Sequence, residues 1–484
     1  MRMKPWQWAV IVTEATLLFG VLGALAWLLL LNSQGAVVAN PAPLSQLATQ
    51  AQLPTATPIL TETPTPVPLA LVTPLPTRTP QPTNTRVISR VTLNQGTIDQ
   101  IEQQVIWLRD ITPRATLSTE FLARDQIVDN SSKSYASNRA EAEKLIALYR
   151  ALGLIPSGAQ VTAEALVKTT SSNIAGYYDP QSKHLYVVSD LENLNAEDKA
   201  TVAHEYTHAL QDQQFDLGKY QSRMLTTDMR LAMMALPEGD ATLVMAMYLY
   251  GNVSPVEWQY MAYRAAFSAG PIITATDVST RAIQISIFPY LQGEQFVFKL
   301  WQDGKGWAQV NHAYADPPLS TSLILHPERY LTGHATPVPV TLPDLGPTLG
   351  KDWKLAIKAD TLGEFVTGIH LDEFLNDARR SAQAADGWEG DSFWLWQAPD
   401  GRRVFAWQIA WDTPRDVGEF SDAYSALLQK RVGSGLAVER EDATVHWYSS
   451  EAGSGLIIRR TGEQTLVLWG PDKATVEKMM AVFK

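Results

Sequence analysis

Cysteine is absent from the 484-residue chain. This absence excludes disulfides, thiolate metal sites and cysteine nucleophiles together. Side chains that bind a metal must therefore offer imidazole nitrogens or carboxylate oxygens, and the chain has only eight histidines.

Positive charge is also scarce. The chain has 39 Lys and Arg against 50 Asp and Glu, which gives a formal net charge of −11. Proteins that bind phosphate backbones need clustered Lys and Arg. We therefore expect no nucleic-acid partner.

Charge is nearly missing from the start of the chain, where an apolar run ending at Leu31 follows Arg2 and Lys4. Its length approximates the roughly 20 residues that span a bilayer. No Lys or Arg follows until Arg78, so the positive-inside rule places the bulk of the chain outside the cytoplasm. Residues 1–35 are predicted to be a single-pass signal anchor in the cell membrane. The alternative is a signal peptide cleaved near Ala39, which would release a secreted protein.

Residues 36–90 are dominated by Pro and Thr, as in PTATPILTETPTPVPLALVTPLPTRTP. Proline fixes φ and removes backbone donors, so this stretch is predicted to be an extended linker. Two folded units should follow, at 91–340 and 341–484, and both have the mixed patterning of an α+β protein.

Helical periods in TIDQIEQQVIWLRDI and RAEAEKLIALYRALGLI open the first unit. In NIAGYYDPQSKHLYVVSD, two Tyr- and Val-rich runs flank a turn signal, which predicts a β-hairpin with its second strand at residues 184–189. Asn195 and Asp198 then resemble a capping box, so a helix should run from about Ala196 to Gln213. Further on, Pro237 is expected in the first turn of a new helix.

The second unit begins with a hairpin pattern in DSFWLWQAPDGRRVFAWQIAW. A helix (DVGEFSDAYSALLQKRV), three strands (ATVHWYSS, SGLIIRR and QTLVLWG) and a closing helix are predicted to complete an α+β domain.

The sequence HEYTH places His204, Glu205 and His208 on the predicted helix. Positions i and i+4 share a helix face, so two imidazoles can bind one Zn²⁺ while Glu205 reaches a water beside it. Such a water has a pKa near 7, and a carboxylate can take its proton as it attacks a carbonyl. The alternative is that these residues lie on a solvated helix face.

A catalytic zinc needs a third protein ligand. The metzincin spacing is excluded because Gln211 and Gln214 occupy the positions where Gly and His or Asp would be required. Glu238, within LPEGDAT, is the best candidate, although Glu238 and Asp240 could instead complement the positive end of a helix. Asp240 or Asp212 could orient a ligating histidine.

The HExxH motif with a downstream helical Glu resembles the gluzincin superfamily of thermolysin-like zinc peptidases. The longer set YYDPQSKHLYVVSD, HEYTHALQDQQFDL and LPEGDATLV is similar to a group of bacterial membrane-anchored HExxH proteins. This resemblance implies a zincin-like domain with a small sheet, an active-site helix and a mainly helical remainder. It implies His204, His208 and Glu238 as zinc ligands and Glu205 as general base. It also implies an edge strand around residues 184–189 that lines the substrate groove.

Gluzincins also use a His or Tyr to stabilise the oxyanion. Our prediction for this role is Tyr314 or His326. The other candidates are His312, Tyr330 and Tyr290. Four histidines have no partner pattern and are expected to be surface or core residues: His184, His334, His370 and His446.

The sequence thus predicts a membrane-anchored, extracytoplasmic zinc peptidase that acts on a peptide or protein substrate. The alternative is an extracytoplasmic binding or structural module in which the HExxH fold has no activity. Neither the substrate nor the oligomeric state follows from the sequence.

Overall fold

The computed structural model describes residues 90–156, 158–162, 176–188, 194–251, 278–333, 336–432, 436–441, 445–450 and 454–483. The predicted anchor and nearly all of the predicted linker lie outside these ranges. Among the described residues, no helix combines the length and apolar character needed to cross a membrane.

The protein has an α+β fold, as predicted. Its first part is mainly helical and contains one small sheet. Its helices are α1 (Arg90–Arg109), α2 (Arg124–Leu152), α3 (Ala196–Phe215), α4 (Leu217–Gln221), α5 (Thr227–Tyr250), α6 (Thr280–Asp303), α7 (Ala308–Ala313), α8 (Thr321–Leu325) and α9 (Pro327–Leu331), and its strands are β1 (Ser118–Leu122), β2 (Gly176–Asp179) and β3 (His184–Val188).

The predicted hairpin is confirmed as β2 and β3, which pair antiparallel with Tyr178 opposite Leu185. The sheet order is β1-β3-β2, because β1 pairs parallel with β3 on its other side. The expectation that residues 184–189 form an edge strand is therefore wrong: β3 has a neighbour on both sides. The edge strand beside α3 is β2.

Helix α3 begins as predicted. The Asn195 side chain accepts from the Asp198 N–H, and the Asp198 side chain accepts from the Asn195 N–H, each at 2.9 Å. This reciprocal pair satisfies two backbone donors that the first helical turn leaves unpaired. The helix extends two residues beyond the predicted end, to Phe215.

Pro237 does not start a helix but lies in the interior of α5. Proline has no N–H to donate to the carbonyl four residues earlier. Here that carbonyl belongs to Met233, and the Tyr220 hydroxyl donates to it at 2.8 Å. The helix continues through the proline because a side chain replaces the missing backbone donor. Glu238 and Asp240 are therefore mid-helix residues, which removes the alternative that they complement a helix amino end.

Helices α5 and α6 cross with their backbones in contact. A Cβ on Gly239 would lie 2.1 Å from the Gly293 carbonyl carbon, and a Cβ on Gly293 would lie 2.2 Å from the Ala235 carbonyl oxygen. Only glycine at both positions permits this approach. The crossing sets α6 directly beside the turn of α5 that carries Glu238.

The second part is built on a seven-stranded antiparallel sheet with strand order β4-β5-β6-β10-β9-β8-β7. The predicted hairpin, helix, three strands and closing helix are all confirmed; strands β4 and β7 and helices α10, α11 and α12 were not predicted. The elements are α10 (Gly346–Leu349), β4 (Lys354–Asp360), α11 (Gly363–Leu375), α12 (Ala378–Ala385), β5 (Trp388–Gln397), β6 (Arg403–Trp411), α13 (Pro414–Val432), β7 (Leu436–Glu441), β8 (Val445–Ser450), β9 (Gly455–Thr461), β10 (Gln464–Gly470) and α14 (Lys473–Met480).

One continuous hydrophobic core runs through both parts of the protein. Helix α11 joins them, since it packs on α6 and α8 of the first part and on β5 of the second. Polar contacts reinforce this junction: Asp360, at the end of β4, accepts from the Thr227 N–H at 2.6 Å and from its hydroxyl at 2.7 Å. The second part therefore fixes the amino end of α5, the helix that carries Glu238.

Candidate metal centre

His204, His208 and Glu238 converge between α3 and α5. The Nε2 atoms of the two histidines are 3.1 Å apart, and Glu238 Oε2 lies 3.2 Å from His204 Nε2 and 3.4 Å from His208 Nε2. His204 and Glu238 are buried and His208 is partly buried. The helical spacing of the histidines therefore brings both imidazoles to one carboxylate of the neighbouring helix.

These distances match the ligand spacing of a tetrahedral zinc site. Ligand bonds of 2.0–2.1 Å place neighbouring ligand atoms about 3.3 Å apart. Two imidazoles and one carboxylate form the donor set of a catalytic zinc with one open position. The three atoms also form a candidate metal-ligand group by proximity alone. The residues present thus fit the ion that the sequence predicted.

Glu238 is held in the ionised form that a metal ligand needs. Burial would raise the pKa of its carboxyl, but the nearby His208 and His204 outweigh burial and lower this pKa to about 2. Burial would lower the pKa of His208, but Glu238 and Glu205 raise it to about 9. A positive charge is therefore favoured where the carboxylate and the imidazoles meet, and a metal ion bound there would displace the proton of His208.

The orientation of His208 is set by Gln211, one turn along α3. The His208 Nδ1 atom lies 2.9 Å from Gln211 Oε1, and the Gln211 amide nitrogen donates to the Pro237 carbonyl at 3.0 Å. With its amide nitrogen donating, Gln211 offers its oxygen as the acceptor for an Nδ1–H. With Nδ1 engaged by Gln211, Nε2 is the His208 atom that faces His204 and Glu238.

Neither acid predicted to orient a ligand has that role. Asp240 forms a fully buried ion pair with Arg109, at 2.7 Å from Nε, and accepts from the Tyr314 hydroxyl at 2.8 Å. Asp212 accepts from Tyr178, Lys183 and the Leu217 N–H. Gln211 was not predicted, because a carboxylate is the usual side-chain acceptor for a ligating histidine, yet a neutral amide oxygen also accepts from imidazole.

Glu205 points from α3 toward the edge strand. Its Oε2 atom accepts from the Tyr178 N–H of β2 at 3.0 Å. Glu205 is partly buried and close enough to the cluster for its carboxylate to act on the pKa of His208 and of Tyr290.

Tyr290, from α6, is the tyrosine that the structure brings to the cluster. Its ring lies 6.1 Å from the His204 ring at an interplanar angle of 26°. Burial raises the pKa of the Tyr290 hydroxyl well above its ordinary value, and Glu238, to which the hydroxyl hydrogen-bonds, and Glu205 raise it further. The hydroxyl therefore remains a proton donor at neutral pH.

Tyr314 and His326, the two residues predicted for oxyanion stabilisation, are engaged elsewhere. Tyr314 donates to Asp240 and stacks on Phe215 with ring centroids 4.0 Å apart. His326 Nε2 lies 2.8 Å from Glu364 Oε1 at the junction with the second part. Tyr290 was among the weaker candidates because sequence distance does not reveal that α6 crosses α5 at Glu238.

His326, Glu364 and Asp386 form a second group whose possible ligand atoms lie within 4.8 Å of one another. The positive charge of Arg329 is already present there, since its guanidinium donates to Asp386 Oδ1 at 3.1 Å. The Gly387 N–H donates to the same oxygen at 3.0 Å. Glu364 raises the pKa of His326 through a hydrogen bond. The members of this group are therefore already engaged with one another and with Arg329.

The histidines without a partner pattern include His370, which is buried and lies 2.9 Å from the Leu152 carbonyl through Nδ1. His184 is partly exposed beside Glu120. These two are a core and a surface residue, as predicted. His334 lies outside the described residues, as does the side chain of His446.

Comparison with known protein families finds a match for one part of the chain. Residues 353–480 match the family model DUF8575, a domain of unknown function. No curated protein and no solved structure matches the chain. The matched region covers most of the second part and does not include the His204, His208 and Glu238 cluster.

Proposed function

We propose that the protein is a zinc-dependent peptidase. The observation that carries this proposal is the convergence of His204, His208 and Glu238 with ligand atoms 3.1–3.4 Å apart, beside the carboxylate of Glu205. Zinc bound there would supply a water of lowered pKa and polarise the carbonyl that is attacked.

Groups of the protein itself would carry out proton transfer, stabilisation of the oxyanion and binding of the peptide. Glu205 accepts the proton of the attacking water and later transfers it to the leaving amine. Tyr290 donates its hydroxyl hydrogen to the oxygen that gains charge on the attacked carbonyl. Edge strand β2 offers an extended peptide its backbone groups other than the Tyr178 N–H, which is bound to Glu205. On the reading of residues 1–35 as an anchor, this chemistry takes place outside the cytoplasm.

Zinc content and peptide hydrolysis test the proposal in the purified full-length protein. The parent should contain about one zinc per chain, and Glu238→Gln should lose most of it. Glu294→Gln is the matched control, because it makes the same chemical change on the adjacent helix outside the cluster. It should keep its zinc.

Glu205→Gln separates metal binding from catalysis. This variant should retain zinc but hydrolyse a peptide library at least about 100-fold more slowly than the parent, the usual contribution of a general base. Equal hydrolysis by Glu205→Gln would refute the assigned mechanism. A parent that binds zinc and cleaves no peptide would instead support the binding-module alternative.

A further inference from the structure

Among the described residues, a single backbone group hydrogen-bonds to the Glu205 carboxylate and sets its orientation. The Tyr178 N–H donates to Glu205 Oε2 at 3.0 Å. Because β2 is the edge strand, this N–H is not needed by a neighbouring strand. The direction of the Glu205 side chain is therefore coupled to the position of β2 relative to α3.

The side chain of Tyr178 makes a second connection to the same helix. Its hydroxyl donates to Asp212 Oδ2 at 2.6 Å. Asp212 follows Glu205 by seven residues, two helical turns, and so lies on the same side of α3. Tyr178 thus contacts α3 at two points, through its backbone at Glu205 and through its hydroxyl at Asp212.

Asp212 is itself well fixed. Its Oδ1 atom accepts from the Leu217 N–H at 3.1 Å, and its Oδ2 atom accepts from Lys183 Nζ at 2.6 Å. The side chain of Asp212 is buried, whereas that of Lys183 is mostly exposed. The end of the connection at Asp212 is therefore anchored to α4 and to the hairpin turn.

We propose that Tyr178 is a positioning residue for Glu205, and that its hydroxyl bond to Asp212 holds β2 in the register that directs the Glu205 carboxylate toward the metal cluster. This inference rests on the proposed peptidase function. If the Tyr178 hydroxyl only stabilised the fold, removing it would lower the free energy of unfolding but would not selectively lower kcat.

The test is Tyr178→Phe in the full-length protein, compared with Tyr186→Phe. Tyr186 stacks on Tyr177 and has its hydroxyl near Ser182, so its replacement removes the same atom from the hairpin without touching α3. Tyr178→Phe should lower kcat about 10- to 100-fold, as expected for a small displacement of a reacting group. Its KM and zinc content should match the parent, and Tyr186→Phe should match the parent throughout.

Asp212→Ala tests the other end of this connection. It removes the oxygen that accepts from the Tyr178 hydroxyl, so kcat should fall by about the same factor as in Tyr178→Phe, and the double variant should be no slower than the slower single variant. A parent-like kcat in Asp212→Ala would overturn the assignment to the hydrogen bond.

Amide hydrogen exchange in residues 176–179 gives a readout that does not need turnover. Exchange should be at least about tenfold faster in Tyr178→Phe than in the parent and unchanged in Tyr186→Phe. Unchanged exchange in Tyr178→Phe would overturn the proposed connection, and faster exchange with an unchanged kcat would overturn its role in positioning. A parent without hydrolysis would refute the peptidase function and the catalytic role together, and exchange would then decide only whether Tyr178 holds β2.

Discussion

At the scale of single residues, His204, His208 and Glu238 each direct one possible ligand atom at a common point. Gln211 fixes His208, and the two imidazoles keep Glu238 ionised. Tyr290 remains protonated beside them because burial and the carboxylates oppose its ionisation. Glu238 and Tyr290 are thus in the protonation states that the proposed chemistry requires, whereas His208 would release its proton to a metal ion.

Replacing Tyr290 by Phe should slow hydrolysis with little effect on metal binding. The change removes a hydroxyl donor and keeps the ring that stacks on His204. Loss of one oxyanion donor costs about 10²–10³ in kcat, so kcat should fall by that factor while zinc content stays at the parent level. Tyr314→Phe is the comparison, and a larger loss of kcat in Tyr314→Phe than in Tyr290→Phe would restore the original prediction.

Glu294 should make stability depend on pH. It is buried, its Oε1 atom has no hydrogen-bond partner among the described residues, and burial raises its pKa to about 7. The folded state therefore holds a proton between about pH 4.5 and 7 that the unfolded state releases, so this group's contribution to stability falls as the pH rises through that window. The full cost, about 3 kcal/mol, applies above pH 7.

Glu294→Gln removes this titration. The variant should be about 1–3 kcal/mol more stable than the parent at pH 8, with little difference at pH 4.5. Urea unfolding at both pH values measures the difference. A variant that is less stable than the parent at pH 8 would show that the ionised carboxylate has a stabilising partner.

At the scale of helices and strands, the site depends on the close crossing of α5 and α6. Gly293→Ala would place a methyl group against the Ala235 carbonyl oxygen, where backbone and not a flexible side chain must move. The variant should be destabilised by about 1–3 kcal/mol or more. It should also bind zinc more weakly, because the shift acts on the turn of α5 next to Glu238.

Gly418→Ala is the control for this crossing. Gly418 lies in α13, and a Cβ there meets nothing within 4 Å. Its replacement should leave zinc affinity unchanged and should stabilise the helix slightly. Equal zinc affinities in Gly293→Ala and the parent, measured by competition with a chelator, would argue that α6 does not position the ligands.

Helices and strands with strong local sequence signals could be predicted. The hairpin, α3 and its cap, and most of the second sheet have local signals: turn residues, alternating apolar residues and a reciprocal cap. The interior position of Pro237 could not be predicted locally. It depends on a hydroxyl from Tyr220, which belongs to a different helix.

The edge strand and the oxyanion candidate failed for a related reason. The hairpin pattern cannot reveal that β1 pairs with β3, because β1 is more than sixty residues away in the chain. The sequence motif likewise cannot reveal which tyrosine reaches the cluster. The two histidines and Glu205 were predictable because their geometry lies within one helix, whereas Tyr290 and Gln211 depend on packing between helices.

At the scale of the whole molecule, the two predicted units share one core. The Asp360 contacts to Thr227 and the packing of α11 on α6 and α8 make the first part dependent on the second. A fragment containing only residues 91–340 should therefore expose part of this core, fail to unfold cooperatively and bind little zinc. Calorimetry and metal analysis of the fragment and of the full chain provide the comparison. A soluble fragment with parent-like zinc content would show that the first part folds independently.

Gln211 has a consequence for which ions the site can accept. An amide fixes His208 without adding charge, so among the described residues the carboxylates that act on His208 are those of Glu238 and Glu205. A divalent cation brings this local sum to neutrality when both imidazoles are uncharged, whereas a monovalent or trivalent ion leaves a residual charge in a partly dry space. On the proposed function, the site should therefore favour a divalent ion by its charge as well as by its geometry.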